Sequence, residues 1–387
     1  MDLSPSEEQA TIRDTARRAA RELLAPHAAR NDTEERFPGE TLKQLGRLGL
    51  MGINVPAEYG GSEAGVVAYA LAVRELAAGC AGTTVALMVT NMVAETIVRY
   101  GDEAQKKRFL PRICGGEWPA ASFCLSEPGS GSDAASMTAT AERDGEDYVL
   151  NGTKAWVTSG GHAGLYLVMA RTAPASRQTG GTSKGITTFL IEAGTPGLTA
   201  SRPEDKLGLR ASHTTQLVLE DCRVPVANRL GDEGIGFKVA MSALDGGRVG
   251  VSAQALGIAT AALQAATRYA TERKQFGAPI AQNQAIQWMI ADSATELEAG
   301  WLMCLRAASL KEKGLPHRRE AAMSKVFCTE VANEICHRAV QIHGGYGYTR
   351  DYPVERHLRD VRVTRIYEGT SEVQRIVIAR EILKQWQ

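Results

Sequence analysis

The sequence predicts an α+β protein, mainly α, with helical segments at both ends and a small antiparallel sheet or barrel between them. Three observations predict it. Apolar residues recur every three and four positions over 7–25, 39–50, 64–79 and 83–100, the signature of amphipathic helices. From about 120 to 225 the period falls to two, and glycine-rich turns separate the runs. Beyond about 234, long alanine-rich helical patterns return. Helices, then strands, then helices form separate modules rather than alternating βαβ units.

Taken in order, Ser4-Pro5-Ser6-Glu7 reads as a helix start, with Ser4 as N-cap, Pro5 in the first position and Glu7 closing a capping box. The fold is expected to begin there. Pro56-Ala57-Glu58-Tyr59-Gly60-Gly61 marks a loop, and Gly115-Gly116-Glu117-Trp118-Pro119 marks the change to strands. Strand runs follow at Tyr148-Val149-Leu150, 165–169, 186–191 and 216–219, with a long loop at 173–185. In the last third, Asp245-Gly246-Gly247-Arg248 interrupts a helical pattern, and Ser371 with Gln374 has capping-box spacing for a final helix.

With 387 residues the chain exceeds one typical domain. Lysine plus arginine equals aspartate plus glutamate, 44 each, which argues against a general nucleic-acid or membrane-surface role. No wholly apolar run approaches the roughly 20 residues that span a bilayer. Early acids (Asp2, Glu7, Glu8) are unlike a secretory presequence. Seven cysteines form no CxxC pair and read as buried thiols of a reducing cytoplasm. The histidines lack ligand spacing, so no metal site is expected.

Several clusters carry chemistry. Glu368 lies between Tyr367 and Gly369 just before a helix start, where backbone N–H groups favour an anion; it reads as a solvated surface acid or as a base. Gly129-Ser130-Gly131-Ser132-Asp133-Ala134 matches the G-x-G-x-x-A fingerprint, but Pro128 precedes it and strand-like residues follow. A glycine turn lining a ligand between strands suits it better than a dinucleotide fold. Phe123-Cys124-Leu125-Ser126 and Trp156-Val157-Thr158 read as strand packing or as a wall for a flat aromatic cofactor. The 245–248 glycines serve helix packing or a ligand lying across the helix, with Arg248 as anchor. Arg273-Lys274-Gln275-Phe276-Gly277 and His343-Gly344-Gly345-Tyr346-Gly347-Tyr348 offer a basic-aromatic turn and backbone that a phosphate can approach.

In order and spacing, five segments together resemble the acyl-CoA dehydrogenase family over essentially the whole chain: 125–133, Asn151-Gly152-Thr153-Lys154-Ala155-Trp156-Val157-Thr158, 273–277, Gln341-Ile342-His343-Gly344-Gly345, and the Glu368 segment. The resemblance implies an N-terminal helical domain (1–117), a middle antiparallel β-domain (118–228) and a C-terminal four-helix bundle (229–387). It also implies FAD, an acyl-CoA substrate, an electron-transfer flavoprotein partner and a homotetramer built as a dimer of dimers. Phe123, Leu125, Ser126, Gly131, Ser132, Trp156, Val157 and Thr158 would hold the flavin ring. Arg273, Phe276, Gln284, Gln341, Ile342, Gly344 and Gly345 would grip the pyrophosphate and adenosine half, from the neighbouring subunit. Thr370, Ser371 and Glu372 would complete that site. Ser132, Asp245, Gly246, Gly247, Arg248, Tyr367 and Gly369 would contact the substrate, with Glu368 as the base. One branch of the family takes its base from the position held here by Gly247, which cannot serve. Glycine there resembles the short-chain and short-branched-chain members. Glu95 falls at the far end of the acyl pocket, where it would shorten or polarise it and repel a dicarboxylyl thioester; alternatively it faces solvent or pairs with Arg99. An acyl-CoA oxidase, a flavin monooxygenase or a silent acyl-CoA-binding protein are the other readings.

Overall fold

The computed structural model describes residues 4–174 and 183–386, so most of the 173–185 loop lies outside the described residues. The N-terminal region holds α1 (Glu7–Ala19), α2 (Ala25–Thr33), α3 (Gly39–Arg47), α4 (Gly65–Gly79), α5 (Ala81–Tyr100) and α6 (Glu103–Cys114). The N-cap of α1 is Ser6, not Ser4: Ser6 Oγ accepts from Gln9 N–H, and the Gln9 side chain accepts from Ser6 N–H. Either serine has the composition of a cap; the reciprocal partner three residues on decides between them. Ahead of α2 the chain widens into a π-turn, Ala20–Leu24, where Pro26 has no N–H to return to the preceding turn.

The sheet comprises β1 (Ala121–Cys124), β2 (Thr140–Asp144), β3 (Asp147–Thr158), β4 (Leu165–Arg171), β5 (Ile186–Glu192), β6 (Leu198–Ala200), β7 (Thr214–Pro225) and β8 (Arg229–Leu230). Its order is β6-β7-β3-β2-β4-β5-β8, with β1 beside β4. Pairing is antiparallel except that β1 runs parallel to β4 and β2 meets β4 through one parallel pair. The β3–β7 ladder slips register between Leu150 and Gly152 and again between Lys154 and Val157. Such bulges re-aim side chains, and the second one matters below.

The C-terminal region is built from α7 (Gly236–Glu272), a short hairpin of β9 (Lys274–Gln275) and β10 (Ala278–Pro279), α8 (Gln284–Glu312), α9 (Arg318–His343), α10 (Val354–Arg362) and α11 (Ser371–Leu383). The expected interruption at 245–248 is absent: α7 runs through it as one 37-residue helix. Two glycines cost helix propensity, roughly 1 kcal/mol each, yet burial against α4, α5 and α9 keeps the helix whole. By length and composition α5 and α7 could each cross a membrane, which a search for wholly apolar runs overlooks. Of their most apolar windows, however, 89% and 72% are buried inside the protein, so they are core helices. Leu76 of α4, Leu87 of α5 and Leu256 of α7 belong to one apolar cluster, so the N-terminal helices and the bundle share a core. Arg359 of α10 ties three regions together: Nη2 lies 2.7 Å from Asp32, Nε 2.7 Å from Glu355, and Nη1 donates to Leu207 O.

Candidate active site

Glu368 occupies a tight turn between α10 and α11, with φ of 51° followed by Gly369 at 90°. A non-glycine residue there costs on the order of 1 kcal/mol, and long-range hydrogen bonds hold it. Lys325 Nζ of α9 donates to Gly369 O at 2.8 Å, while Gln374 Nε2 donates to Gly369 O at 3.0 Å and to Glu368 O at 3.3 Å. Gln374 therefore does not close a capping box with Ser371. The N-cap is Thr370, whose hydroxyl accepts from Val373 N–H, and Ser371 is the buried first residue of α11. Tyr367 donates its hydroxyl to Gln254 Oε1, and Gln254 Nε2 donates to Ala81 O at 3.1 Å.

The Glu368 side chain leaves the helix end and lies on Gly247 of α7. A methyl group built on Gly247 would sit 2.9 Å from the Glu368 carboxyl carbon and closer still to Oε2. That oxygen is buried and has no hydrogen-bond partner among the described residues. A carboxylate stripped of water and given no donor resists ionisation, and burial pushes its pKa up to about 7; the Lys325 ammonium and the Arg248 guanidinium hold it from rising further. Burial in turn brings Lys325 down to about 8. Lys325 escaped the sequence reading. Its signal was a lysine on the apolar face of α9, flanked by the buried residues Ala321, Ala322 and Cys328.

Beside Gly247 opens a cavity of about 50 Å³ lined by Tyr69, Met92, Glu95, Thr96, Arg99 and Gly246 among others. Glu95 neither faces open solvent alone nor pairs with Arg99. It pairs with Lys311 Nζ of α8 at 2.6 Å and accepts from Asn54 Nδ2. Its charge is thus compensated, which removes the basis for expecting it to repel a second carboxylate. Arg248 is also committed: 6% exposed, it binds Asp245 at 2.7 Å, and Asp245 takes Arg318 as well. Arg248, the expected anchor, thus sits in a buried ion pair on a continuous helix, and its Nε is buried without a partner among the described residues.

The second group of expected residues gathers at the ends of β1 and β3. The bulge before Val157 leaves Trp156 at φ 59° and 65% exposed. Val157 points the other way, fully buried, so only its backbone can face a ligand. Ser122 Oγ donates to Thr158 O at 2.6 Å, and Ala155 N–H donates to Ser126 O at 2.8 Å; Leu125 is buried and Phe123 half-buried. Gly131 and Ser132 lie in an exposed turn with open space at Gly131, and only a three-residue 3-10 turn, Ala134–Ser136, follows. A dinucleotide fingerprint needs a helix there.

Beneath this wall Lys154 Nζ meets Glu127 Oε1 at 2.8 Å, both residues at most 4% exposed, and Glu127 also accepts from Thr138 and Ala139 N–H. Lys154→Met should cost about 3–5 kcal/mol, because it strands a buried carboxylate. Thermal unfolding would read the loss, and an unchanged midpoint would refute it.

A third group lines a cavity of about 560 Å³ containing Arg273, Ile342, Gly344 and Gly345, together with Tyr269 and Tyr346. Methyl groups on Gly344 or Gly345 would meet nothing within 4 Å, so backbone there is open to a bulky anion. Arg273 lies 5.5 Å from the Tyr346 ring, and His343, stacked on Tyr269, keeps a buried Nε2 without a partner among the described residues. Cation, open glycines and aromatic faces fit the phosphates and adenine of FAD. No residue of the sheet lines this cavity. Gln284, Gln341 and Glu372 are exposed, and Phe276 is fully exposed at the β9–β10 tip.

Three sequence profiles match the chain in order: acyl-CoA dehydrogenase N-terminal domain over 6–117, middle domain over 122–222 and C-terminal domain over 234–383. The bovine (Bos taurus) mitochondrial short-chain specific acyl-CoA dehydrogenase is 46% identical over 97% of this chain and 90% of its own length. Butyryl-CoA dehydrogenase from Megasphaera elsdenii superposes with a TM-score of 0.95 at 41% identity, covering 99% of this chain and 100% of its own. A chain from a structure reported for the electron transferring flavoprotein of Acidaminococcus fermentans superposes with a TM-score of 0.96 at 44% identity, over 99% and 100%. With its three domains matched in order and its fold superposed along nearly its full length, the chain belongs to the acyl-CoA dehydrogenase family.

Proposed function

We propose that this enzyme desaturates a short or short-branched acyl-CoA to the trans-2-enoyl-CoA, with Glu368 removing the α-proton. The carrying observation is the Glu368 carboxylate itself: set on Gly247, its buried Oε2 without a hydrogen-bond partner among the described residues, and poised at about 7. A base of that pKa combines availability at neutral pH with useful strength. The thioester α-proton is weakly acidic, so charge developing on the carbonyl oxygen needs a donor, a role assigned to Gly369 N–H. Gln374 holds that peptide by its carbonyl, Glu368 O, and Lys325 holds the next one by Gly369 O, which together fix the direction of the N–H.

The cofactor is FAD; when bound, it supplies the hydride acceptor for the β-carbon. Trp156, Ser126 and Thr158 would face its ring, and Arg273 with the 342–345 backbone its phosphates. Because the sheet contributes nothing to the 560 Å³ cavity, we assign the two halves of the cofactor to different subunits of a homotetramer, a dimer of dimers. Exposed Phe276, Trp288 and Tyr348 are candidates for the subunit contacts. An electron-transfer flavoprotein is the proposed electron acceptor, and seven buried free thiols suit a reducing cytoplasm.

Anaerobic addition of butyryl-CoA should bleach the flavin absorption band. No bleaching with any of a panel of straight and branched acyl-CoAs would overturn the proposal, and oxygen consumption would redirect it to an oxidase. In Lys325→Met, loss of the cation that favours the Glu368 anion should raise the acid limb of the kcat/KM profile by about one pH unit. Activity at neutral pH should then fall several-fold, more of the base being protonated. An unmoved limb would exclude Lys325 from tuning the base.

A further inference from the structure

The cavity beside Gly247 has charge in its wall alongside the hydrocarbon of Met92 and Ala243. Asn54 from the loop before α4, Glu95 of α5 and Lys311 of α8 converge there. Lys311 Nζ lies 2.5 Å from where a methyl on Gly246 would sit. The ion pair therefore rests on the residue adjacent to the seat of Glu368. At about 50 Å³, the space is roughly a third of the ~150 Å³ that admits a benzene ring. Only the end of a short chain fits it as it stands.

We infer that the Glu95–Lys311 ion pair, braced by Asn54, is the floor of the acyl pocket and the residue pair that restricts this enzyme to short acyl groups. The inference rests on the proposed function in placing the acyl chain beside Glu368. A longer chain has to press methyl and methylene groups against two charges, removing water from them without replacing its hydrogen bonds. The pair cannot easily step aside. Glu95 is held from two directions, and Lys311 packs on helix backbone where a side chain at 246 would be. Arg99, which also lines the cavity, adds a further charge that favours water over hydrocarbon.

Truncating one partner alone would leave the other charge beside the space that it opened, so the two side chains are truncated together. The holoenzyme is compared with Glu95→Ala/Lys311→Ala and with Glu95→Gln, using butyryl-, hexanoyl- and octanoyl-CoA. In the parent enzyme kcat/KM should fall steeply from butyryl to octanoyl. The double variant should raise the octanoyl-to-butyryl ratio by about tenfold or more, while Glu95→Gln, which keeps the volume, should move it little. Equal use of butyryl and octanoyl by the parent enzyme would overturn the inference, as would an unchanged ratio in a folded, flavin-loaded double variant. The same three thioesters are titrated into Glu368→Gln, with and without the double substitution, by perturbation of the flavin spectrum. A shifted binding ratio there supports the floor even if Glu368 is not the base, so the two failures are distinguishable.

Discussion

Glu368→Gln should lower turnover of butyryl-CoA by about 10⁴-fold, the upper range for loss of a general base, while leaving the flavin bound. The amide has nearly the size of the carboxylate and can occupy the same seat on Gly247, so a loss of this size reports chemistry rather than geometry. Stability should move the other way. With its folded pKa near 7 against 4.5 for the ordinary carboxylate, Glu368 favours the fold in its protonated form. The native state holds that extra proton between those two values, so stability falls as pH rises from 4.5 to 7. Above 7 the penalty is complete and on the order of 3 kcal/mol. The amide never ionises. Its unfolding midpoint should therefore match the parent near pH 4.5 and exceed it at pH 8. A variant that retains turnover, or that gains no stability with pH, would refute the buried base.

Gly247→Ala should separate folding from activity in the same way, by sterics alone. Alanine favours an exposed helix interior over glycine by roughly 1 kcal/mol, and α7 is regular at this position. The new methyl meets only the tip of the Glu368 side chain, which can swing away at little cost. The protein should fold with an equal or higher midpoint, while the carboxylate loses its place. Displacement of a reacting group by about 1 Å costs on the order of 10²-fold, and the loss should fall on kcat more than on acyl-CoA binding. If Gly247→Ala retained full turnover, the seat of the base would be elsewhere.

Part of this architecture is legible along the chain, and particular elements show why. Helix and strand periods follow from which face of a segment is buried, so the order of the three regions and most core helices could be read directly. The exposure of Trp156 could not: the register slip between Lys154 and Val157 depends on the partner strand β7, about 60 residues away. At α11 the local spelling misled. Ser371 and Gln374 have the right spacing, yet Thr370 caps the helix, and Gln374 is drawn instead to the carbonyls of the Glu368 turn. The 245–248 glycines looked like a break because propensity was weighed without the burial that overrides it.

By itself, the sequence determined the family, its cofactor, and which carboxylate stands ahead of the last helix. Those are statements about residue types at fixed spacing. Only the tertiary structure decided what that carboxylate can do. It placed Glu368 on a glycine of another helix, left Oε2 without a donor, and brought Lys325 to the neighbouring carbonyl. It also paired Glu95 with Lys311, 216 residues along the chain. Ionisation depends on solvent, charge and donors within a few ångströms, and those neighbours come from α7, α8 and α9, whose approach no local pattern encodes.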